Sequence, residues 1–571
     1  MAGGVGTQYT PAAGWAQAVT YHRDVLQDES WRNAIAVVLG GDGAVATNGF
    51  WSALTMATTL KLPLLFYVED NGYGLSVPSS FQTPGGNIAE NLASFKDLLV
   101  LDGDGCDPAE TARLSGQAVA HVRSGRGPCM LRLSVPRLSG HSGQDTQAYK
   151  PTEFIAEEEN RDPLPALREY VLGESLSEEE WNDLARQAKD DTESALTAAL
   201  ARPEPQTSRL MQYVYAEQEL AHNRSAQGGL PRSVVEQLAS SDAPNSEPAR
   251  INMLTAIRRT LESELRVNER VLVFGEDVGP KGGVHACTMG LQKTFGDKRV
   301  FDTSLSEEGI IGRAVGMAIS GLMPVTEIQF RKYADPAAEQ INDCGTVRWR
   351  TNNRFCAPLV MRIAGGHAKC GDPWHSQCGE VAWAHAIGWQ VAFPSNAEDA
   401  VGLLRAAMRS HNPTIFFEHR ALLDDASARR PYPGDQDVLP FGCGKVVQPG
   451  SDLTIVSWGA MIARCAAAIE QTGISVELID LRSIMPWDRE LVIKSVQKTR
   501  RCLIVHEDSS TAGFGAEIAA TVASEAFLDL DAPVERLTVP DVPLPYNVEL
   551  METALPTPET ISEAIYDLVE F

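Results

Sequence analysis

The chain has 571 residues, 43% of them hydrophobic, enough to bury large cores in about three or four domains. Its formal net charge of −26 argues against sequence-independent binding of nucleic acid, and no apolar run approaches the roughly 20 residues of a membrane span. The start, MAGGVGTQYTPAAGWAQAV, lacks the basic region of a signal peptide, and the ten cysteines are scattered singly with no disulfide spacing; the expected compartment is reducing, the cytoplasm.

Residues 34–39 (AIAVVL) form a short apolar run of the kind that parallel sheets bury on both faces. Gly41-Asp42-Gly43 follows, then residues 50–60 (FWSALTMATTL) with helical length, a second apolar strand at 63–68, and Asp70-Asn71-Gly72-Tyr73. This strand–loop–helix–strand unit puts Asp42 and Asn71 past the carboxyl ends of two strands, where parallel α/β sheets bind ligands. Two hard oxygen donors there suit magnesium, which takes one or two protein oxygens and fills its other positions with phosphate. Gly41 and Gly43 let the backbone approach a diphosphate without a Cβ in the way. With 27 residues between Gly43 and Asn71, the segment resembles the thiamin-diphosphate fingerprint. The resemblance implies that Asp42, the Asn71 side chain and the Tyr73 carbonyl hold Mg2+, and that Gly41, Gly43 and Ala44 lie at the cofactor. Gly103-Asp104-Gly105 repeats the tripeptide; with no Asn at a comparable distance and no apolar strand leading into it, it reads as a turn.

Residues 3–16 (GGVGTQYTPAAGWA) resemble a segment that comes a third or more of the way into the α subunit of 2-oxo acid dehydrogenases. In that family the preceding part supplies a Tyr-Arg pair for the diphosphate and side chains that shape the substrate pocket, so the α-type region is expected to be N-terminally incomplete. Residues 109–123 read as a helix and 130–135 as a strand, which delivers the polar loop 136–149. This loop resembles the regulatory and active-site loop of the same α subunits, with His141 at the cofactor. Ser142 matches a serine modified by kinases in mitochondrial relatives, but its neighbours differ and no phosphorylation is expected. Residues 162–203 are helical and acidic, and the Pro/Ser/Gln/Asn-rich stretch 204–249 reads as a linker with one or two short helices.

A new module begins near Ile251, with an amphipathic helix at 252–266 and a strand at 271–274 ending in Gly275-Glu-Asp-Val-Gly279. The blocks 299–309 (RVFDTSLSEEG), 325–330 with Tyr333, and 375–380 (HSQCGE) resemble the β subunit of the same family, as far as Glu418. By that resemblance Glu307, ahead of its neighbour Glu308, hydrogen-bonds the aminopyrimidine ring of thiamin diphosphate; Tyr333 lies against that ring; His375 protonates or steers intermediates during acyl transfer, with His141 ordering the approach. A glutamate sharing a proton favours an apolar pocket that raises its pKa, and histidine suits proton transfer near neutrality. The run His367-x2-Cys370-x4-His375-x2-Cys378 holds four potential zinc ligands, but its short central gap is unlike separated ligand pairs and His375 has another role, so no zinc is expected there. From about Pro431, strands at 453–457, 476–479 and 502–506 alternate with helices such as 462–471 and resemble a transketolase-type carboxyl-terminal domain, in which His506 and Glu507 read as structural.

The expected architecture is α/β: two thiamin-diphosphate-binding-fold modules, parallel sheets flanked by helices, plus a transketolase-type domain. The expected divisions are 1–203 for the diphosphate- and magnesium-binding α-type module, 204–249 for the linker, 250–430 for the pyrimidine-binding β-type module and 431–571 for the last domain. The family implies oxidative decarboxylation of a 2-oxo acid, leaning to branched-chain substrates such as 3-methyl-2-oxobutanoate. The acyl group passes to the lipoyl group of an acyltransferase partner, and the chain pairs as a homodimer. Pyruvate or acetoin dehydrogenases share these motifs, and a non-catalytic docking subunit is the reading from another class.

Overall fold

A computed structural model of the chain describes residues 3–173, 175–217, 228–229, 231, 233, 237, 246–368 and 372–571. The chain divides into two compact units, Ala2–Gln212 and Tyr213–Phe571. Mainly parallel sheets flanked by helices make up both units.

In the first unit, strands β1 (Ala36–Gly41), β2 (Leu64–Asp70), β3 (Leu99–Asp104) and β4 (Cys129–Ser134) form one parallel sheet in the order β1-β2-β4-β3. Alternation along β2 sorts its side chains between two cores. Leu64, Phe66 and Val68 join Tyr9, Phe50 and Leu54 on one face, while Leu65 joins Leu114, Val122 and Leu131 on the other. The register pairs Gly41 with Glu69 and Asp70 with Ser134, so the strands finish at one level and Asp42 and Asn71 are the first residues beyond it.

The turn expected at Gly103-Asp104-Gly105 needs correction. An apolar strand does lead into it: β3 carries Leu99-Val-Leu101 and ends at Asp104. As an edge strand it is only half-buried, so three apolar residues suffice and no long hydrophobic run marks it. Beyond it Asp107 caps the helix Pro108–Arg123 through the amides of Ala109 and Glu110. Helices Pro163–Val171 and Glu178–Leu200 follow, the second acidic and opened by a capping box of Ser177 and Glu180. The short helices expected in the linker fall largely outside the described residues; a single turn stands at Thr207–Arg209, and the strand Glu247–Ile251 starts before the expected end of the linker and pairs antiparallel with Arg430–Tyr432.

Besides that two-stranded ribbon, the second unit holds two larger sheets among the described residues. Strands β5 (Val271–Gly275), β6 (Val300–Asp302), β7 (Met323–Ile328), β8 (Val360–Gly365), β9 (Gln390–Ala392) and β10 (Thr414–His419) are parallel. Further on come β11 (Lys445–Gln448), β12 (Leu453–Ser457), β13 (Val476–Asp480), β14 (Ser483–Met485), β15 (Cys502–Ser509) and β16 (Glu535–Val539). The first sheet runs β14-β9-β10-β8-β7-β5-β6, with β14 antiparallel to β9; the second runs β11-β13-β12-β15-β16. The chain thus leaves the second sheet after β13 to add one strand to the first, then returns.

Buried charge crosses the first of these sheets. Arg362 on β8, fully buried, bonds Glu327 on β7 at 3.0 Å and Glu418 on β10 at 2.6 Å. Removing one partner of a buried ion pair costs about 3–5 kcal/mol, because the other charge is left without compensation. Arg362→Met is therefore expected to lower the thermal midpoint of this unit sharply in a calorimetric scan, whereas Arg186→Ala, which breaks the exposed pair with Asp183, leaves it in place.

Candidate active site

At the carboxyl ends of the first unit's strands, the two loops past β1 and β2 lie together. Asp42 is buried, and its Oδ1 accepts a long bond from the Asn71 amide at 3.4 Å. Gly43 is required by close approach: a Cβ there would lie 2.8 Å from the Gly74 Cα. The Asp70-Asn71-Gly72-Tyr73 turn is locked by its own side chains, with the Gly72 amide on Asp70 Oδ1 (2.9 Å) and the Tyr73 amide on Asn71 Oδ1 (3.1 Å). Asp70 is anchored in turn by Arg132 at 2.7 Å. The Tyr73 carbonyl accepts from Arg137 Nη2 at 2.8 Å, and the same guanidinium bonds the Leu75 carbonyl and the Tyr149 hydroxyl.

Asp42 Oδ2 is buried with no hydrogen-bond partner. Burial, reinforced by the Asp70 charge, raises this carboxyl to about 6. An unsatisfied acid oxygen on one loop, with a side-chain amide and a main-chain carbonyl on the adjoining loop, is a hard-donor set of the kind that suits a divalent cation. Ala44 begins the short turn that follows Gly43 and is buried. His141 lies exposed on the loop after β4, which is folded around Asp145: that carboxylate accepts from the His141 amide at 2.7 Å, the Gln147 amide at 2.9 Å and the Tyr149 hydroxyl at 3.0 Å.

In the second unit Glu307 is the first residue of the helix Glu307–Ile319, capped by Ser306 through the Gly309 amide at 3.1 Å, and is half-buried. Beside it stands a residue that sequence reasoning missed. Glu276 follows β5 directly, as Asp42 follows β1, and is buried with Oε1 unpartnered. Burial first, then the charges of Glu307 and Asp277, push its carboxyl up to about 7. That position one residue beyond a buried strand was the available signal.

The structure also joins Tyr333 to His375. The phenol oxygen lies 2.8 Å from His375 Nε2, and the Phe330 ring stacks on the imidazole with centroids 4.3 Å apart. Burial, with Arg420 and Lys332 nearby, lowers the His375 pKa. His375 is thereby held away from His367 and Cys378, which meet Glu507 instead; Cys370 lies outside the described residues. His506 is buried and stacked on Trp458 at 5.2 Å, and burial brings its pKa down to about 3, so it packs as a neutral ring.

Comparison with known proteins accords with this layout. The family model described as "Dehydrogenase E1 component" matches residues 1–208, "Transketolase, pyrimidine binding domain" matches 249–425, and "Transketolase, C-terminal domain" matches 442–561. The mitochondrial 2-oxoisovalerate dehydrogenase subunit beta 2 of Arabidopsis thaliana is 42% identical over 326 residues, covering 56% of this chain and 90% of that protein. The 2-oxoisovalerate dehydrogenase subunit beta of Pseudomonas aeruginosa is 40% identical over 314 residues (52% and 90%), and that of Bacillus subtilis 36% identical over 326 (56% and 99%). A solved split-gene transketolase, an inactive β4 tetramer, overlaps 56% of the chain at a TM-score of 0.44 and 20% identity, too distant to add an argument. The chain belongs to the thiamin-diphosphate-dependent 2-oxo acid dehydrogenase family, to which its β-type region ties it most closely. Among the described residues no helix is long and apolar enough to cross a membrane.

Glu276 carries a pH signature. An acid whose folded pKa lies above its unfolded value holds more protons when folded, so its contribution to stability is lost as pH rises through the folded pKa. Between about pH 4.5 and 7 the wild-type unfolding midpoint is expected to fall more steeply with pH than that of Glu276→Gln. Parallel slopes would show that folding does not raise the Glu276 carboxyl.

Proposed function

We propose that this chain fuses α-type and β-type regions of the decarboxylating component of a 2-oxo acid dehydrogenase complex. Its substrate class is branched-chain 2-oxo acids such as 3-methyl-2-oxobutanoate. The acyl group passes to the lipoyl group of an acyltransferase partner, and two copies pair as a homodimer. The fusion is supported by a dehydrogenase match upstream of the β-type match in one chain. The substrate class is supported by the names of the relatives, all 2-oxoisovalerate dehydrogenase β subunits. The observation that carries the catalytic reading is the Glu276–Glu307 carboxyl pair, one just past β5 and one at the start of a buried helix.

Thiamin diphosphate, when bound, supplies the nucleophilic carbon and the electron sink for loss of carbon dioxide. Asp42, Asn71 and the Tyr73 carbonyl would hold Mg2+, with Gly41, Gly43 and Ala44 leaving room for the diphosphate. Arg137, already on the Tyr73 carbonyl, fixes that carbonyl's orientation and leaves its second lone pair free. Glu307 would hold the aminopyrimidine ring through a shared proton. Glu276, protonated up to about pH 7, spares the pair a second buried negative charge. Tyr333 presents its ring while its hydroxyl fixes His375, whose lowered pKa keeps a neutral imidazole ready to take or give a proton at acyl transfer. His141, on its ordered loop, would guide the lipoyl arm.

Calorimetry of thiamin diphosphate binding with and without Mg2+, combined with reductive acylation of a lipoyl domain, tests this reading. Wild type is expected to bind only with Mg2+ and to turn over 3-methyl-2-oxobutanoate faster than pyruvate; Asp42→Asn loses Mg2+-dependent binding, and Glu307→Gln binds but loses turnover. A folded chain with no binding supports the docking-subunit reading instead. Tyr333→Phe removes one hydrogen bond to His375 and is expected to slow acylation about three- to tenfold with cofactor affinity unchanged.

A further inference from the structure

Away from the residues assigned above, the second unit buries a cluster of a different character. Glu507 on β15, Cys378 ahead of the helix Glu380–Ala384, and His419 at the end of β10 bring Sγ, Nε2 and a carboxylate oxygen within 4.8 Å of one another, all buried. Glu507 Oε1 lies 2.7 Å from His419 Nε2 and 3.3 Å from Cys378 Sγ. His367, just past β8, donates its amide to the same oxygen at 2.7 Å, and its Nδ1 stands 3.4 Å away. Gly366 makes room for the imidazole of His419: a Cβ there would fall 2.3 Å from Nε2.

Hydrogen bonds within the protein do not satisfy this cluster. Glu507 Oε2, His419 Nδ1 and both ring nitrogens of His367 are buried without hydrogen-bond partners. Glu380 and Asp508, close by, each keep a buried carboxylate oxygen in the same condition. Buried polar atoms are nearly always paired, so this many in one place ask for a partner. A cavity of about 30 Å³, lined by His367, Trp374, Gln377, Glu507 and Asp508 among others, adjoins the cluster and has room for one small species.

We propose that Cys378, His419, Glu507 and His367 form a structural zinc site that joins the carboxyl ends of β8 and β10 to β15 of the transketolase-type domain. One thiolate, two imidazoles and one carboxylate are zinc's preferred ligand types. Tetrahedral zinc with bonds of about 2.0–2.3 Å spaces its ligands about 3.3–3.8 Å apart; Cys378, His419 and Glu507 already lie within 4.8 Å of one another, and the His367 ring, 3.4 Å from Glu507 at Nδ1, would turn to complete the set. Binding sends the Cys378 thiol proton to solvent, the sulfur taking the metal in its place. The four ligands come from distant parts of the sequence, and only His367 and Cys378 belong to the local run that reads as a decoy.

The test uses the full-length, untagged chain purified without added metal. Plasma mass spectrometry is expected to find about one zinc per chain. After chelation, Co2+ is expected to give the visible spectrum of a tetrahedral site with a thiolate charge-transfer band. Cys378→Ser should lose that band, His367→Phe should weaken Co2+ binding at least tenfold, and Cys443→Ser, at an exposed thiol, should keep both signals. Asp42→Asn should also keep them, which separates this site from the one proposed for Mg2+. A wild-type chain with no stoichiometric zinc and no thiolate band overturns the proposal, and this arm decides the matter even if Cys378→Ser does not fold.

Discussion

A carboxylate placed one residue past the end of a buried parallel strand is the constraint on which the candidate site depends. Water solvates such a group poorly and the strand ends offer it few donors, so it holds a proton or waits for a cation. Asp42 after β1 and Glu276 after β5 are two instances, each raised by burial and by a neighbouring acid, and each with a buried oxygen unpartnered. In the first unit the register that aligns Gly41 with Glu69 and Asp70 with Ser134 brings the strand ends to one level.

What the sequence discloses follows from how far each signal reaches along the chain. Central parallel strands are buried on both faces, so β2 and β12 stand out as apolar runs; β1 is an edge strand with Val37 and Leu39 exposed, and its apolar run is made conspicuous by the glycine–acid–glycine motif beyond it. β3, at the other edge and only half-buried, carries a shorter run with no such motif-and-Asn pairing to mark it. Glu276 is hidden for another reason. Its neighbour Glu307 lies far along the chain, and only the fold makes the pair. The Tyr333–His375 bond joins residues 42 apart and the Glu507 contacts join residues 88, 129 and 140 apart. No local spacing encodes them, whereas the compact His/Cys run between His367 and Cys378 suggests a grouping that the fold divides.

Two of the buried polar systems of the second unit solve the same electrostatic problem differently. Arg362 sits between Glu327 and Glu418 and supplies the compensating charge from the protein itself. Around Glu507 the nearby bases are imidazoles, and His367 spends neither of its ring nitrogens on a hydrogen bond. Burial drives the Cys378 thiol far above its ordinary range, so without a metal the sulfur stays protonated and electrically silent. Interior charge is thus either matched by an arginine or left for something the chain must acquire.

The excursion of β14 has a consequence for how the molecule can be taken apart. Ser483–Met485 belongs in sequence to the last domain and in space to the edge of the preceding sheet, beside β9. Cutting the polypeptide near residue 431 would therefore strip the neighbouring module of its border and expose the backbone of β9 to whatever strand it next met. The two parts are sewn rather than hinged, and an engineer exchanging carboxyl-terminal domains between relatives would have to carry that stitch across with them.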